Sequence, residues 1–519
     1  MYQNKGFTLI ELLAVIVVLG IVLLITIPNV LNIINKAKDE SYERQKELIV
    51  DAAKKHVMLN TGDINWTSDM AEVSLADLQA ASLLPDPLAN PKGGVFHNTE
   101  TKVIIVKEDN QYIYQASVLE ELYNAKEGVN RPQLAPGMTP IKWDENNNMV
   151  ETNENDGDWY QYDYLNNTKK RWANAQTADG SMWVWVPRYA YQIYSNYHTS
   201  TTGTINVKFL KGLENTASDD TRVDIIPTYS GSSQTNYIEH PAFNFGGNKV
   251  SGLWVAKFEA TAAEEVASGY SCNAADNTSS KTVKIIPGAT SWRCINNKNA
   301  FEAVRAMETN PVYGWGTSGK NIDTHMMKNT EWGAVAYLSK SSYGQENTEI
   351  TINNNTDFYT GGGSGDSYVI NKVQSTTGTI YGIYDISGGA WERTMANYNN
   401  TIADSGWTAA ELNSIPSKYI NRYYPAPGDG FVYDPSIVGD AVYETSYDAK
   451  RYNGSNWIGS GTSWYSDYAQ LPNASSPWFT RGGHYSNGTH AGAFAFSYSD
   501  GGVFVSYGFR PLVVVGPGL

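Results

Sequence analysis

The chain has 519 residues, too many for one ordinary hydrophobic core, so two or more domains are expected. Charged residues at 18% beside a hydrophobic set at 41% fit a largely soluble fold, and 35 Tyr and 15 Trp favour strands, turns and binding surfaces over helical bundles. The net charge of -15 lacks the basic footprint that phosphate binding needs and argues against nucleic acid as a partner.

At the N-terminus, Phe7 to Leu31 is a run of 25 residues with one charge, Glu11. As a helix it would extend about 37 Å, enough to cross a bilayer. The six-residue flank carries Lys5, which predicts a cytoplasmic start and places the bulk of the chain outside. An ordinary secretory signal would be cut after its apolar run, and no convincing small-x-small site follows this one. A carboxylate inside an apolar helix is costly unless paired. A cut between Gly6 and Phe7 would create an α-amino group that could neutralise Glu11 of a neighbouring subunit and set the register between helices.

The stretch KGFTLIELLAVIVVLGI resembles the start of type IV prepilins and type II secretion pseudopilins. The resemblance implies cleavage after Gly6 by a prepilin peptidase, N-methylation of Phe7, an assembly role for Glu11 and a helix-softening Pro28. It also implies other pilin subunits as partners, with the membrane as host before assembly and the cell-surface pilus after it. A plain transmembrane anchor is the alternative.

Beyond Pro28 the helix is expected to continue, with Ile33, Ile34, Ala37, Tyr42, Leu48, Ile49, Ala52, Ala53 and Val57 at helical spacing, and to end at Thr61 and Gly62. SLADLQAAS predicts a short helix and VIIVKEDNQYIYQA a hairpin. The expected organisation is α+β: a leader over 1–6, an N-terminal helix over 7–60 with its membrane-spanning part at about 7–31, a small head over 61–117, a linker over 118–139 and a large module over 140–519.

In the module, SMWVWVPRYAYQIY, INVKFL and SGLWVAKFEA predict strands, whereas NAFEAVRAME and NTEWGAVAYLSKSS predict helices. Long Gly, Ser, Thr and Asn stretches predict abundant loops, and GGGSGD at 361–366 lacks the Lys of a phosphate loop and reads as a flexible one. Cys272 and Cys294 suit one disulfide in an exported domain, with two unpaired buried thiols as the alternative. Closing that loop would contribute roughly 3 kcal/mol.

TEWGAVAYL, GIYDISGGAWERT and WFTRGGHYSNG…YGFRPLVV resemble the signature of the formylglycine-generating-enzyme type of C-type lectin fold. The resemblance implies that Trp391 and Glu392 enter the core and that Arg481 to Gly483 and Gly508 to Arg510 bracket a ligand-facing segment. The oxidase of that family needs two cysteines after the RGG. Their positions fall at about Asn487 and Gly492, which supply no sulfur, so that activity is rejected and no catalytic residue is assigned. His484 and His490 are not spaced as a diagnostic metal pair. No cofactor is expected, although loop carbonyls and Asp side chains leave room for a structural calcium.

Residues 484–507 are rich in Tyr, Ser, Gly, Asn and His, the composition of a paratope. AFAF reads as buried strand. The exposed set is then His484, Tyr485, Ser486, Asn487, His490, Tyr498, Ser499, Asp500, Phe504, Ser506 and Tyr507. The segment also resembles the variable region of proteins diversified by retroelements. The leading expectation is a minor or tip pilus subunit that binds an extracellular protein or glycan. The competing ones are a structural pseudopilin and a surface enzyme.

Overall fold

The computed structural model describes residues 37–516 except 61–63, 67–69, 93, 109–110, 163–169, 317–320, 425–435 and 454. Gly6, Phe7, Glu11 and Pro28, with the apolar run around them, lie outside the described residues. Among the described residues no helix is long and apolar enough to cross a membrane. The chain divides into two compact units between Val118 and Leu119.

In the first unit a helix over 37–59 buries Tyr42, Ile49, Ala52, Ala53 and Val57, which return to one face every three, four or seven residues. Ala37 and Leu48, expected on that face, are exposed: Leu48 follows Glu47 on the outer side. The helix stops at Leu59, where the Asn60 side-chain amide donates to the His56 carbonyl at 2.9 Å. Strand Met70–Ser74 leads directly into helix Leu75–Ala80. Ser74 Oγ accepts from Asp77 N at 3.1 Å while Asp77 accepts from Ser74 N at 2.9 Å, a reciprocal cap. Strands Thr101–Glu108 and Gln111–Val118 form the hairpin, and Met70–Ser74 pairs antiparallel with the first of them.

The second unit begins where a linker was expected, and residues 119–139 are not a linker. Tyr123–Asn124 and Val129–Asn130 pair as a small hairpin, and Val129, Ala135 and Met138 join the main core. The Asn130 amide donates to the Gly212 and Ser251 carbonyls at 2.9 and 3.0 Å and accepts from Gly212 N at 2.7 Å. Its few apolar residues are diluted by Pro, Gly and Asn, so the segment shows no periodicity, and a single buried amide anchors it instead.

Two sheets organise the module. A seven-stranded sheet runs in the order Ile322–Met326, Pro511–Val515, Gly252–Ala256, Met182–Pro187, Asn174–Gln176, Thr139–Trp143, Met149–Glu151, with every pairing antiparallel. The C-terminal strand thus closes the sheet between two strands far upstream. Met182–Pro187 is buried on both faces, and Trp185 and Trp254 pack at 5.2 Å between ring centroids. The second sheet centres on Trp391–Tyr398, flanked by Asn421–Tyr423, Trp478–Gly482 and Tyr507–Phe509, with Gly492–Ser499 outermost.

Helix Asn297–Ala306 is capped by Asn296, whose side chain accepts from Asn299 N at 2.8 Å. Helix Asn329–Ser339 is buried all round. Trp332 on it donates to the Ala493 carbonyl at 2.7 Å, tying the helix to the second sheet. Segment 361–366, read as a flexible loop, is anchored at its start, where Gly361 N donates to Asp385 Oδ1 at 2.9 Å, and is exposed at 364–366.

Candidate ligand-binding face

The segment brackets are built from the interior outward. Arg510 Nε donates to Glu392 Oε2 at 2.9 Å, and its two remaining nitrogens reach the carbonyls of Ala256 and Tyr384 at 2.7 and 2.9 Å. Arg481 donates to the carbonyls of Ala495, Asp440 and Ala441 at 3.1, 2.8 and 3.0 Å. Both guanidiniums are fully buried, so Arg510 spends its fork on Glu392 and backbone carbonyls and Arg481 on backbone carbonyls, rather than on ligand. Gly388 and Gly389 have φ of 80° and 72°, and a Cβ on Gly389 would lie 2.4 Å from Glu259 Oε1. That turn requires glycine. It also lets Ala390 N donate to Glu259 at 2.8 Å.

Glu259, Asp385 and Glu392 surround Arg510 in this interior. Burial pushes all three carboxyls up, Glu392 to about 7 against the pull of Arg510. Each is exposed by 1% or less, so these shifted acids brace the turn and face no cleft. Among the described residues no group of three or more His, Cys, Asp or Glu is placed to hold a metal ion.

The outer surface of this scaffold carries the predicted segment. Strands Trp478–Gly482 and Gly492–Ser499 pair antiparallel, with a bulge at 493–495 where the register shifts after Arg481, and 483–491 forms the loop that joins Gly482 to Gly492. Within it Asn487 Oδ1 accepts from His484 N at 2.7 Å, and His490 Nδ1 lies 3.1 Å from the Ser466 carbonyl. Ser486 and His490 are exposed, whereas His484, Tyr485 and Asn487 are half-buried. Burial lowers the His484 pKa, so its ring is neutral at physiological pH. Tyr485 is held edge-on to Phe358 at 4.9 Å and by its N–H to the Gly389 carbonyl at 2.9 Å.

Ala493 to Phe496 are buried, as their alternation predicts, and Tyr498 emerges beyond them. Its ring stacks on Trp457 at 5.2 Å and 16°, and Trp457 in turn meets Tyr452 at 5.4 Å. The second lobe is 500–507. Asp500 turns the chain by accepting from Gly502 N at 2.8 Å, and Phe504, 40% exposed, packs on Tyr507 at 4.8 Å.

Cys272 and Cys294 form a disulfide. Groups beside it grip this lobe: Cys294 N donates to the Phe504 carbonyl at 3.0 Å and the Arg293 guanidinium reaches the Val505 carbonyl, while Trp391 N, from the second sheet, donates to the Ser506 carbonyl at 2.9 Å.

Two predicted contact residues are corrected. Ser499 is 3% exposed, and its hydroxyl accepts from Arg393 and from Gly501 N at 3.0 Å. Ser506 is also buried. Both sit where the strand path turns inward, so they serve the scaffold. Sequence reasoning missed Trp457, 36% exposed, with its neighbour Ile458, and Tyr270, 65% exposed beside the disulfide. Trp457 lies in a polar run, NGSNW, that carries no periodic signal. Only the pairing of Arg451–Tyr452 with Trp457–Ile458 brings it onto Tyr498.

A comparison of the chain with curated proteins finds no match. Residues 1–27 match the family described as the prokaryotic N-terminal methylation motif. The chain therefore starts as a type IV prepilin does, consistent with a pilin or pseudopilin subunit, a class whose general partners are other pilin subunits and a prepilin peptidase and whose place is first the membrane and then the pilus surface.

Proposed function

We propose that this protein is a minor or tip subunit of a type IV pilus that presents a lectin-like, ligand-binding module for attachment to a protein or glycan outside the cell. The observation that carries the reading is the aromatic face around 484–507: Tyr485, Tyr498, Trp457, Phe504 and Tyr507 are partly exposed on a scaffold whose arginines, glycines and disulfide are spent on rigidity. Rigid aromatic anchors with small polar neighbours supply contact area at low entropic cost. In this reading the peptidase cuts after Gly6, Phe7 is methylated, and Glu11 pairs with the new amine of the next subunit. The large second unit would crowd a densely packed filament, which favours a minor or tip position. The resemblance of the module to retroelement-diversified lectin folds makes 484–507 the segment free to vary. No catalytic step and no cofactor enter this function.

The test is simultaneous replacement of Tyr485, Tyr498 and Tyr507 by Ala in the full chain. Attachment of piliated cells to their target surface is expected to fall to background while the melting temperature stays within a few degrees. Unchanged attachment would move the binding face elsewhere or favour a structural pseudopilin.

A further inference from the structure

In the interior of the second unit a lysine amine is set against a side-chain amide and a carboxylate. Lys249, Asn215 and Glu239 are 3%, 5% and 6% exposed, and Arg188 beside them is fully buried. Each is placed by its own segment of chain. Strand Ile238–Glu239 pairs antiparallel with Tyr189–Ile193, which sets Glu239 opposite Ala190. Lys249 ends a short hairpin, Asn244–Phe245 with Asn248–Lys249, whose turn is Gly246 and Gly247 at φ of 61° and 81°. Two successive residues with positive φ make the tight turn that glycine supplies most readily. Asn215 lies in the loop that follows Leu210, where its main-chain carbonyl accepts from Val223 N at 3.0 Å.

Lys249 Nζ lies 3.3 Å from Asn215 Oδ1 and also contacts Glu239 Oε2. A carbonyl bond is about 1.2 Å long, so Asn215 Cγ is at most about 4.5 Å from the amine. A near-attack arrangement, at roughly 3–3.5 Å, is a small side-chain movement away. Arg188 grips the same two partners: its Nε donates to Glu239 Oε1 at 3.0 Å and one terminal nitrogen donates to Asn215 Oδ1 at 3.1 Å. The other terminal nitrogen reaches the Gly212 and Glu214 carbonyls at 3.1 and 2.7 Å, which fixes the guanidinium. Burial opposes the charge of Glu239, but Arg188 and Lys249 hold its carboxyl below the ordinary value, so it stands ready as a proton acceptor. Two cations thus bear on this one carboxylate, a costly arrangement in an interior.

We infer that Lys249 and Asn215 become joined by an intramolecular amide bond, formed by the folded chain itself with Glu239 as proton carrier. Glu239 takes one proton from the Lys249 ammonium, and the freed amine attacks Asn215 Cγ. Charge building on Oδ1 is met by the Arg188 N–H that already points at it. The Nζ–Cγ bond forms and the Cγ–Nδ2 bond breaks. The departing nitrogen takes a second proton from Nζ to become ammonia, then the proton held by Glu239 to leave as ammonium. The carboxylate is restored, and the step needs no oxidant and no cofactor. Burial keeps water from competing with the amine. The product discharges Lys249 and leaves Arg188 and Glu239 as a pair. The bond ties together residues 34 apart in the chain and, unlike a disulfide, survives reductant. A second buried pair lacks the proton carrier: Lys257 Nζ lies 2.9 Å from Asn174 Oδ1, but burial alone acts on its pKa and no carboxylate bears on it.

The test is tandem mass spectrometry of the full chain, purified in detergent, then unfolded, reduced and digested with trypsin. Cleavage after Lys211, Arg222 and Lys257 is expected to release 212–222 joined to 223–257, with the cut after Lys249 blocked. The joined species should be about 17 Da lighter than the two peptides summed, the loss of one ammonia. Fragment ions that place the link between Asn215 and Lys249 separate it from ring closure at an Asn-Gly step, which loses the same mass within one peptide. Asn215→Ala is expected to abolish the joined species. Glu239→Gln, in a variant that still melts cooperatively, is expected to lower it by roughly tenfold or more. Cleavage after Lys257 should remain complete in every chain. Full cleavage after Lys249 with free 212–222 in the unsubstituted protein would overturn the bond. An undiminished link in Glu239→Gln, or an equal link between Lys257 and Asn174, would overturn the role of the carboxylate.

Discussion

Trp457 illustrates how a single side chain acquires a role from its neighbour. Its ring covers Tyr498 at near-parallel orientation, so removing it would both take away contact area and release the tyrosine. Within the proposed function, Trp457→Ala is expected to weaken ligand attachment by about 2 kcal/mol, roughly thirtyfold, with little change in stability; adhesion or binding isotherms of the full chain would measure it. His325 is the residue whose charge is best defined by geometry. Its Nδ1 lies 2.9 Å from Asp323 and its Nε2 2.9 Å from Glu331, and only the imidazolium can donate from both nitrogens.

Burial opposes that charge, but Glu331 and Asp323 raise the His325 pKa above its ordinary value. Burial likewise opposes the Glu331 charge, yet Lys328 and His325 hold its pKa down at about 2. The signs then follow from linkage. The histidine contribution is complete below the ordinary imidazole value and is lost as pH rises through the raised one. The Glu331 contribution is present above the ordinary carboxylate value and is lost as pH falls toward about 2. Arg305, Lys328, Lys418 and Tyr419 also face this cluster. Melting temperature of the full chain should fall above neutral pH, and His325→Gln should flatten that alkaline fall; an equal slope in the variant would contradict the imidazolium assignment.

At the scale of elements, the disulfide acts through the backbone it immobilises. Cys294 N and Arg293 both bond to the 504–505 carbonyls, so the closed loop buttresses the outer lobe of the proposed binding face. Cys294→Ser is expected to destabilise the chain by roughly 3 kcal/mol. It should also speed amide exchange at 503–507 more than in the seven-stranded sheet; uniform exchange would mean that the bond stabilises without shaping the face. Element prediction succeeded for continuous apolar and aromatic runs as well as for the amphipathic one: NAFEAVRAME is α-helical through Ala306, NTEWGAVAYLSKSS through Ser339, and the aromatic runs are strands. It failed at 118–139, because one satisfied asparagine and three scattered apolar residues leave no pattern to read.

At the scale of the whole molecule, the prepilin-like start and the large second unit call for different tests. Within the proposed function, Glu11→Ala should leave membrane insertion intact and reduce incorporation into filaments at least tenfold, measured as the ratio of sheared pili to membrane-bound chain. Normal incorporation would remove the pairing of Glu11 with the neighbouring amine. This outcome is independent of the aromatic face, since a subunit could assemble without binding or bind without assembling.

The sequence by itself determined the prepilin-like motif, the buried AFAF strand and the tyrosine-rich composition of the outer segment, because each is local: a cleavage context, a period and a residue inventory. Only the tertiary structure decided that Ser499 and Ser506 turn inward and that Trp457 joins Tyr498. Those facts depend on which distant strands pair and in what register, and a one-residue change of phase would exchange the exposed and buried sets.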